Sequence, residues 1–240
     1  MSWTRFHPAT RIAVAVGAIL SIASFTGWER VGEALAHFSP AGGFESRCAD
    51  LPPSTVTVAT SLPAIAENRS VPTETLTRMS EAQSESLRTI GLTRAKFGHR
   101  SMLEVKGVED RVGARACVRP TVSVELFVAP MTVYVAREYA GDPCRARVIR
   151  EHEQRHVDTY LGYAREVAPM LKVELERVIG RAPHFGYTVG EAQANLDRML
   201  GDALATFMRD AERTLAVRQA AIDTPAEDER VRLACAATPG

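Results

Sequence analysis

The C-terminal half of the chain repeats apolar residues every three or four positions over two long stretches, residues 145–179 and 188–222. This spacing gathers the apolar side chains on one face of a helix. Glycines and a proline interrupt the pattern between the stretches, so they are predicted to form an antiparallel helix pair. Glu191 follows Thr188 by three residues, which is typical of a capping box at the start of the second helix. Pro169 is expected to kink the first helix.

Alternation of β-branched and polar residues dominates the part of the chain before these helices. Residues 55–60 predict a short strand, and residues 72–90 have helical spacing. Three further stretches rich in Val, Leu, Phe and Tyr alternate as strands do: 92–105, 115–128 and 131–139. Turns are expected at residues 107–111 and at Ala129-Pro130. The predicted fold is therefore α+β, with a small antiparallel or mixed sheet followed by a long antiparallel helix pair.

Residues 1–36 have the layout of an export signal. Basic residues are followed by an uncharged run, residues 12–28, and then by Ala34-Leu35-Ala36, a small-x-small cleavage site. The uncharged run is also just long enough to span a bilayer, so an uncleaved membrane anchor is the alternative. Either way, the rest of the chain is expected to be periplasmic or secreted. Residues 37–54 are rich in Gly, Pro, Ser and Ala without a period and are predicted to be a linker or arm.

Four cysteines, Cys48, Cys117, Cys144 and Cys235, accompany this predicted export. An even number of cysteines in an oxidising compartment favours two disulfide bonds. The four are too far apart in sequence to indicate a cysteine-rich metal site. Three pairings are open, and the working prediction joins Cys117 to Cys144 and Cys48 to Cys235.

The first predicted helix contains the motif H-E-x-x-H, from His152 to His156. Residues four apart lie on the same face of a helix, so both imidazoles can reach one metal ion. Glu153 points about 100° round the helix, beside the ion, where it can act as a general base towards water. Arg155 is unusual because the x positions of such motifs are normally uncharged, and its head group is expected to reach solvent. The motif predicts a Zn²⁺ site and hydrolysis.

The motif and the order of elements before it resemble a bacterial family described as predicted secreted zinc-dependent proteases. The likeness spans residues 55–235 and includes a cysteine just before the H-E-x-x-H helix. It implies that residues 55–240 form a zincin-like metallohydrolase domain acting on a peptide or protein substrate. Of the family's pattern after the second helix, Asp223 and Thr224 are present, whereas its Tyr, His and Gly are absent.

Two aspartates are candidates for the third protein ligand that a catalytic zinc ion takes. If the turn between the helices is centred near His184, His156 lies level with about residue 212, which makes Asp210 the geometric candidate. The resemblance instead indicates Asp223, which lies past the second helix where the chain can turn back. Asp223 is also well suited simply to begin a turn at residues 223–225. We prefer Asp223 as the third ligand.

The balance of positive and negative charge argues against nucleic acid as a partner. Lys and Arg together number 29, as do Asp and Glu, so no basic surface is expected to attract nucleic acid. Membrane attachment is expected through the N-terminal segment only. The sequence therefore predicts a zinc metallopeptidase with His152, His156 and Asp223 as ligands and Glu153 as general base. The alternatives are a catalytically silent envelope protein that keeps the fold to bind a partner, and a metal-binding or metal-delivery protein.

Overall fold

A five-stranded mixed sheet and two long helices make up most of residues 43–80 and 88–235, which the computed structural model describes. The predicted signal or anchor lies outside these residues. The elements in chain order are α1 (Phe44–Ala49), β1 (Thr55–Ser61), β2 (Ile65–Asn68), α2 (Thr73–Met79), β3 (Gly91–Asp110), β4 (Arg115–Val135), a 3₁₀ turn (Arg137–Tyr139), α3 (Pro143–Ile179), β5 (His184–Gly186), α4 (Val189–Ala220) and α5 (Pro225–Leu233). The predicted α+β class with a mixed sheet is confirmed.

Strand β4 is the centre of the sheet, because every other strand that the structure describes pairs with it. β3 runs antiparallel to β4 along one edge over almost the whole length of β4. The other edge is shared by β5, which is antiparallel, and by β1 and β2, which are both parallel to β4. The structure therefore has two very long strands, of 20 and 21 residues, where three shorter ones were predicted.

The predicted turn at Ala129-Pro130 is wrong, since β4 continues through it. Proline has no backbone N–H to donate to a neighbouring strand, but at position 130 neither neighbouring strand needs such a hydrogen bond. On one side the register shifts between Ala95 and Phe97, which pair with Met131 and Val128. On the other side β1 ends and β2 has not yet begun. The first turn lies at residues 111–114, slightly later than predicted, and leaves Val112 fully exposed at its tip.

The core lies between one face of the sheet and the two long helices. Alternate residues of β4 are buried, including Val122, Val124 and Leu126. They pack against buried residues of α3 and α4 such as Leu171 and Leu196. Burial of this apolar face is the main force that fixes α3, the helix carrying the H-E-x-x-H motif, on the sheet.

The helix pair forms largely as predicted. α3 begins at Pro143, after Asp142, whose side chain accepts a hydrogen bond from Arg145 N, and it continues through Pro169 to Ile179. One half of the predicted capping box of α4 is confirmed, because Thr188 Oγ1 accepts from the backbone N of Glu191 at 3.1 Å. The Glu191 carboxylate accepts from the backbone N of Tyr187 at 2.8 Å and not from that of Thr188. α3 and α4 pack on each other and run in opposite directions. No helix in the described residues is both long and apolar enough to cross a bilayer.

The two disulfide bonds join Cys48 to Cys117 and Cys144 to Cys235, so the predicted pairing is wrong. The cause is the unbroken length of β4: Cys117 and the residues leading to Cys144 lie at opposite ends of roughly 60 Å of extended strand. Cys48 lies on α1 and is buried together with Phe44 against Cys117. The predicted arm therefore contains a helix that is bonded to the sheet.

Candidate metal centre

Three side chains converge at the C-terminal end of α4. Nε2 of His152 lies 3.1 Å from Oδ1 of Asp223, Nε2 of His156 lies 3.0 Å from the same oxygen, and the two nitrogens are 3.2 Å apart. All three are within 4.8 Å of one another, close enough to hold one metal ion. Asp223, the preferred third candidate, therefore joins the predicted histidines. Asp210 does not, because it is exposed and accepts a hydrogen bond from Arg213 instead.

The two helices explain why these residues meet. His152 and His156 lie one turn apart on the core-facing side of α3 and are largely buried. His156 contacts Gln219, at the end of α4, where the turn count had placed residue 212. The connection contains the extended strand β5, so a count based on a tight turn gave the wrong level. Asp223 directly follows α4, where the chain turns back over the histidines.

Gln219 determines which nitrogen of His156 faces the centre. The Gln219 amide nitrogen donates to the backbone oxygen of His156 at 3.2 Å, so its oxygen is left to accept a hydrogen bond from Nδ1 of His156 at 2.7 Å. A neutral His156 therefore carries its proton on Nδ1 and directs the lone pair of Nε2 towards Asp223. Ligating histidines are usually oriented in this way by a partner on the outer nitrogen.

His152 has a charged partner on its outer side. Nδ1 of His152 lies 3.1 Å from Oε1 of Glu227 in α5, and this carboxylate also binds Arg155 and Arg230. The hydrogen bond from Arg230, the hydrogen bond with His152 and the positive charge of Arg155 lower the pKa of Glu227 to about 2, against the opposing effect of burial. The Arg155 side chain is 45% exposed, in line with the expectation from the sequence, and its guanidinium also pairs with Glu227.

The charges around the centre favour a cation. Burial is the largest single influence and lowers the pKa of both histidines, but the hydrogen bonds to Asp223 and to Glu227 or Gln219, together with the nearby carboxylates, raise the pKa of each above its usual value. Burial acts to raise the pKa of Asp223, yet the two histidines hold it well below its usual range. Each partner therefore stabilises positive charge between the three donor atoms.

Glu153 lies beside the centre but outside the group of donors. Its side chain is buried, and Thr93 in β3 donates a hydrogen bond to Oε2 at 2.8 Å. Gly91 leaves the space that the carboxylate occupies, since a Cβ at this position would overlap Oε1 of Glu153 and lie 2.6 Å from Ile149. Burial raises the pKa of Glu153 above its ordinary value, which makes its carboxylate a stronger base.

A cavity of about 680 Å³ opens onto the three donors and Glu153. Its walls come from the start of β3, from α3, from the end of α4 and from α5, and they combine apolar residues such as Ile149 and Val231 with arginines such as Arg145. Tyr160 also lines it, whereas Tyr163 packs in the core against Phe97. The volume is in the range of pockets that bind small molecules or short peptide segments.

Three residues of the site were not predicted: Thr93, Gln219 and Glu227. A signal for Glu227 is present in the sequence, because Thr224 and Glu227 have the spacing of a capping box around a proline at the first helical position, and Thr224 does cap the helix by accepting from Glu227 N. That pattern predicts helix α5 and hence the position of Glu227. Thr93 and Gln219 belong to no motif, and only the packing of β3 and α4 on α3 brings them to the site.

Comparisons of the chain with protein-family models, with curated proteins and with solved structures find no match. Membership of the secreted zinc-dependent protease family therefore stays a prediction. The chemistry of the site is inferred from the arrangement of His152, His156, Asp223 and Glu153.

Proposed function

We propose that this chain is an exported zinc-dependent hydrolase with a zincin-like fold, and that it acts as a metallopeptidase. The observation that carries the proposal is the convergence of His152, His156 and Asp223 beside the buried carboxylate of Glu153. Two histidines and one carboxylate are a ligand set of catalytic zinc sites, which leave a fourth position for water or substrate. The two disulfides are compatible with export, because such bonds persist in oxidising compartments.

The three donors fit a zinc ion in spacing and in chemistry. Ligand atoms bound at 2.0–2.1 Å in a tetrahedron lie about 3.3 Å apart, and the three separations here are 3.0 to 3.2 Å. The lone pair of a neutral His156 faces a carboxylate oxygen of Asp223, so two acceptors meet. Such a contact is stabilised only by a cation between them, a proton or a metal ion.

Zinc bound there would polarise a substrate carbonyl and make water more acidic. Glu153 is placed to accept the proton of the attacking water and then to donate it to the leaving amine. Thr93 holds the carboxylate in position during both transfers. Burial raises the pKa of the Tyr160 hydroxyl, so this group stays protonated and is available as a hydrogen-bond donor to substrate in the cavity.

The buried base separates this function from the two alternatives. A silent envelope protein or a metal-delivery protein needs donors for the metal but no carboxylate beside them. Glu153 is kept in a largely buried position, at the cost of its desolvation, and it is not among the three converging donors. Hydrolysis is the function that uses it.

The test is the substitution Glu153→Gln, with zinc content and peptide hydrolysis measured on the same protein. Glutamine keeps the size and the hydrogen bond from Thr93 but cannot take up the proton. Turnover should fall by about 10²–10⁴-fold, the usual contribution of general acid–base catalysis, with zinc still bound. Glu151→Gln is the matched control, because Glu151 is exposed on the same helix and pairs with Arg147. His156→Ala should lose both zinc and activity.

Three results would contradict the proposal. Absence of zinc from the unmutated protein in a metal-replete medium would show that the three donors do not bind zinc. Unchanged hydrolysis in Glu153→Gln would show that Glu153 is not the general base. Zinc bound at full stoichiometry with no hydrolysis of any peptide in a mixed library would favour the silent or metal-delivery alternatives.

A further inference from the structure

Helix α5 contributes much to the site but is weakly packed. The segment of residues 223–235, here named the clasp segment, supplies Asp223, the outer partner Glu227 and part of the cavity wall. Glu227 is the one buried residue of α5, and Leu233 near its end is half exposed. Apolar burial therefore fixes this helix much less firmly than it fixes α3 or α4.

A covalent bond takes the place of that packing. Cys235, which ends the clasp segment, is bonded to Cys144, the second residue of α3. At its other end the segment is continuous with α4. The clasp segment is thus tied at both ends, and its Asp223 lies against His152 and His156 of α3.

The two disulfides differ in exposure as well as in position. Cys48 and Cys117 are 4% and 0% exposed and join α1 to the sheet. Cys144 and Cys235 are partly exposed. A reducing agent in solution therefore meets the bond of the clasp segment first.

We propose that the Cys144–Cys235 disulfide is a redox latch on the metal centre, an inference that rests on the proposed zinc site. A dithiol reductant breaks the Sγ–Sγ bond, transfers two electrons and two protons to give two thiols, and is itself oxidised to a disulfide. The released clasp segment no longer holds Asp223 and Glu227 against the histidines. The chain then binds zinc tightly in an oxidising compartment and loosely in a reducing one.

The experiment compares two double variants of the full chain, Cys144→Ala/Cys235→Ala and Cys48→Ala/Cys117→Ala. The second is a stringent control, because it removes a buried bond that closes a loop of similar size, with separations of 69 and 91 residues. Zinc affinity is measured by competition with a chromophoric chelator, and folding by circular dichroism. The first variant should bind zinc at least about tenfold more weakly than the unmutated protein, the minimum effect of losing an outer partner of a ligand. The control should bind zinc as the unmutated protein does.

The outcomes separate this inference from the zinc site itself. Zinc affinity unchanged in the first variant, or reduced equally in both, overturns the latch and leaves the metal site intact. No zinc in the unmutated protein overturns both. If the first variant does not fold, the native protein is treated with a water-soluble phosphine, peptide mapping establishes which bond is reduced, and zinc release is followed. Release that accompanies reduction of Cys144–Cys235 supports the latch, and retention of zinc after that reduction overturns it.

Discussion

The two sides of the candidate metal centre are built in different ways. α3, which carries His152, Glu153 and His156, has 12 buried residues among its 37, whereas α5 has one among 9. The donors of α3 are therefore held by a packed core, and those of the clasp segment by hydrogen bonds, ion pairs and one disulfide. We therefore expect the histidines to keep their positions on α3 if the clasp segment is released.

The largest difference between the two sides should appear in global stability. Leu171 of α3 is fully buried, and Leu171→Ala should lower the free energy of unfolding by about 2–5 kcal/mol through the cavity it leaves. Val231 of α5 is only partly buried, and Val231→Ala should cost about 1 kcal/mol or less. Urea denaturation of the metal-free proteins measures both values. Equal losses in the free energy of unfolding would show that α5 belongs to the same core as α3 and that the two sides of the site are not held differently.

The next effect concerns the ligand that the clasp segment supplies. Asp223→Ala should weaken zinc binding by more than about 100-fold, beyond the range that loss of an outer partner produces. Asp210→Ala is the matched control, because Asp210 was the other candidate and is exposed on α4. The zinc dissociation constant of the control should be unchanged. A larger loss of zinc affinity in Asp210→Ala than in Asp223→Ala would identify Asp210 as the third ligand.

A smaller effect should follow from removing the charge behind His152. Glu227→Gln keeps a hydrogen-bond acceptor but loses the ion pairs with Arg155 and Arg230, and zinc affinity should fall by about 10–100-fold. Glu229→Gln, on the exposed face of the same helix, should leave zinc affinity unchanged. If the two variants bind zinc equally well, Glu227 has no part in orienting His152.

The smallest expected effect comes from removing the N-cap threonine of α4 or of α5. Because the chemical change is the same at both helices, it compares their stabilities most directly. Thr188 and Thr224 cap α4 and α5, and removal of such a cap costs about 0.5–2 kcal/mol. Thr188→Ala should lower the global free energy of unfolding by this amount. Thr224→Ala should leave the urea midpoint unchanged and speed hydrogen exchange of the α5 amides by about 2–30-fold. A shift of the urea midpoint by Thr224→Ala would argue against an independently mobile α5.

The part of the site that the sequence predicted is the part set by local geometry. His152, Glu153 and His156 lie within five residues on one helix, so their relation follows from the helical period. Asp223 and Gln219 depend on how α4 lies against α3, which in turn depends on the extended connection through β5. No periodic pattern carries that information. For this reason two aspartates remained as candidates until the fold was known.

One local error in the sheet explains the wrong disulfides. The sequence predicts a turn at Ala129-Pro130, because a proline normally interrupts a central strand. In the fold it lies where β3 shifts register and where β1 has given way to β2, so no ladder hydrogen bond is lost. With β4 unbroken, Cys117 is carried to the far end of the sheet, beyond the reach of Cys144. Long-range pairing of this kind cannot be deduced from the residues around each cysteine.

The long β3–β4 hairpin has a practical consequence. β3 begins beside Glu153 and ends at the tip formed by residues 111–114, roughly 65 Å further along the extended strand, where Val112 is fully exposed. Exposed tips of this kind tolerate insertions. An affinity tag, a fluorophore or a surface linker placed at Val112 can therefore anchor or report on the protein while the end that carries the candidate metal site stays free in solution.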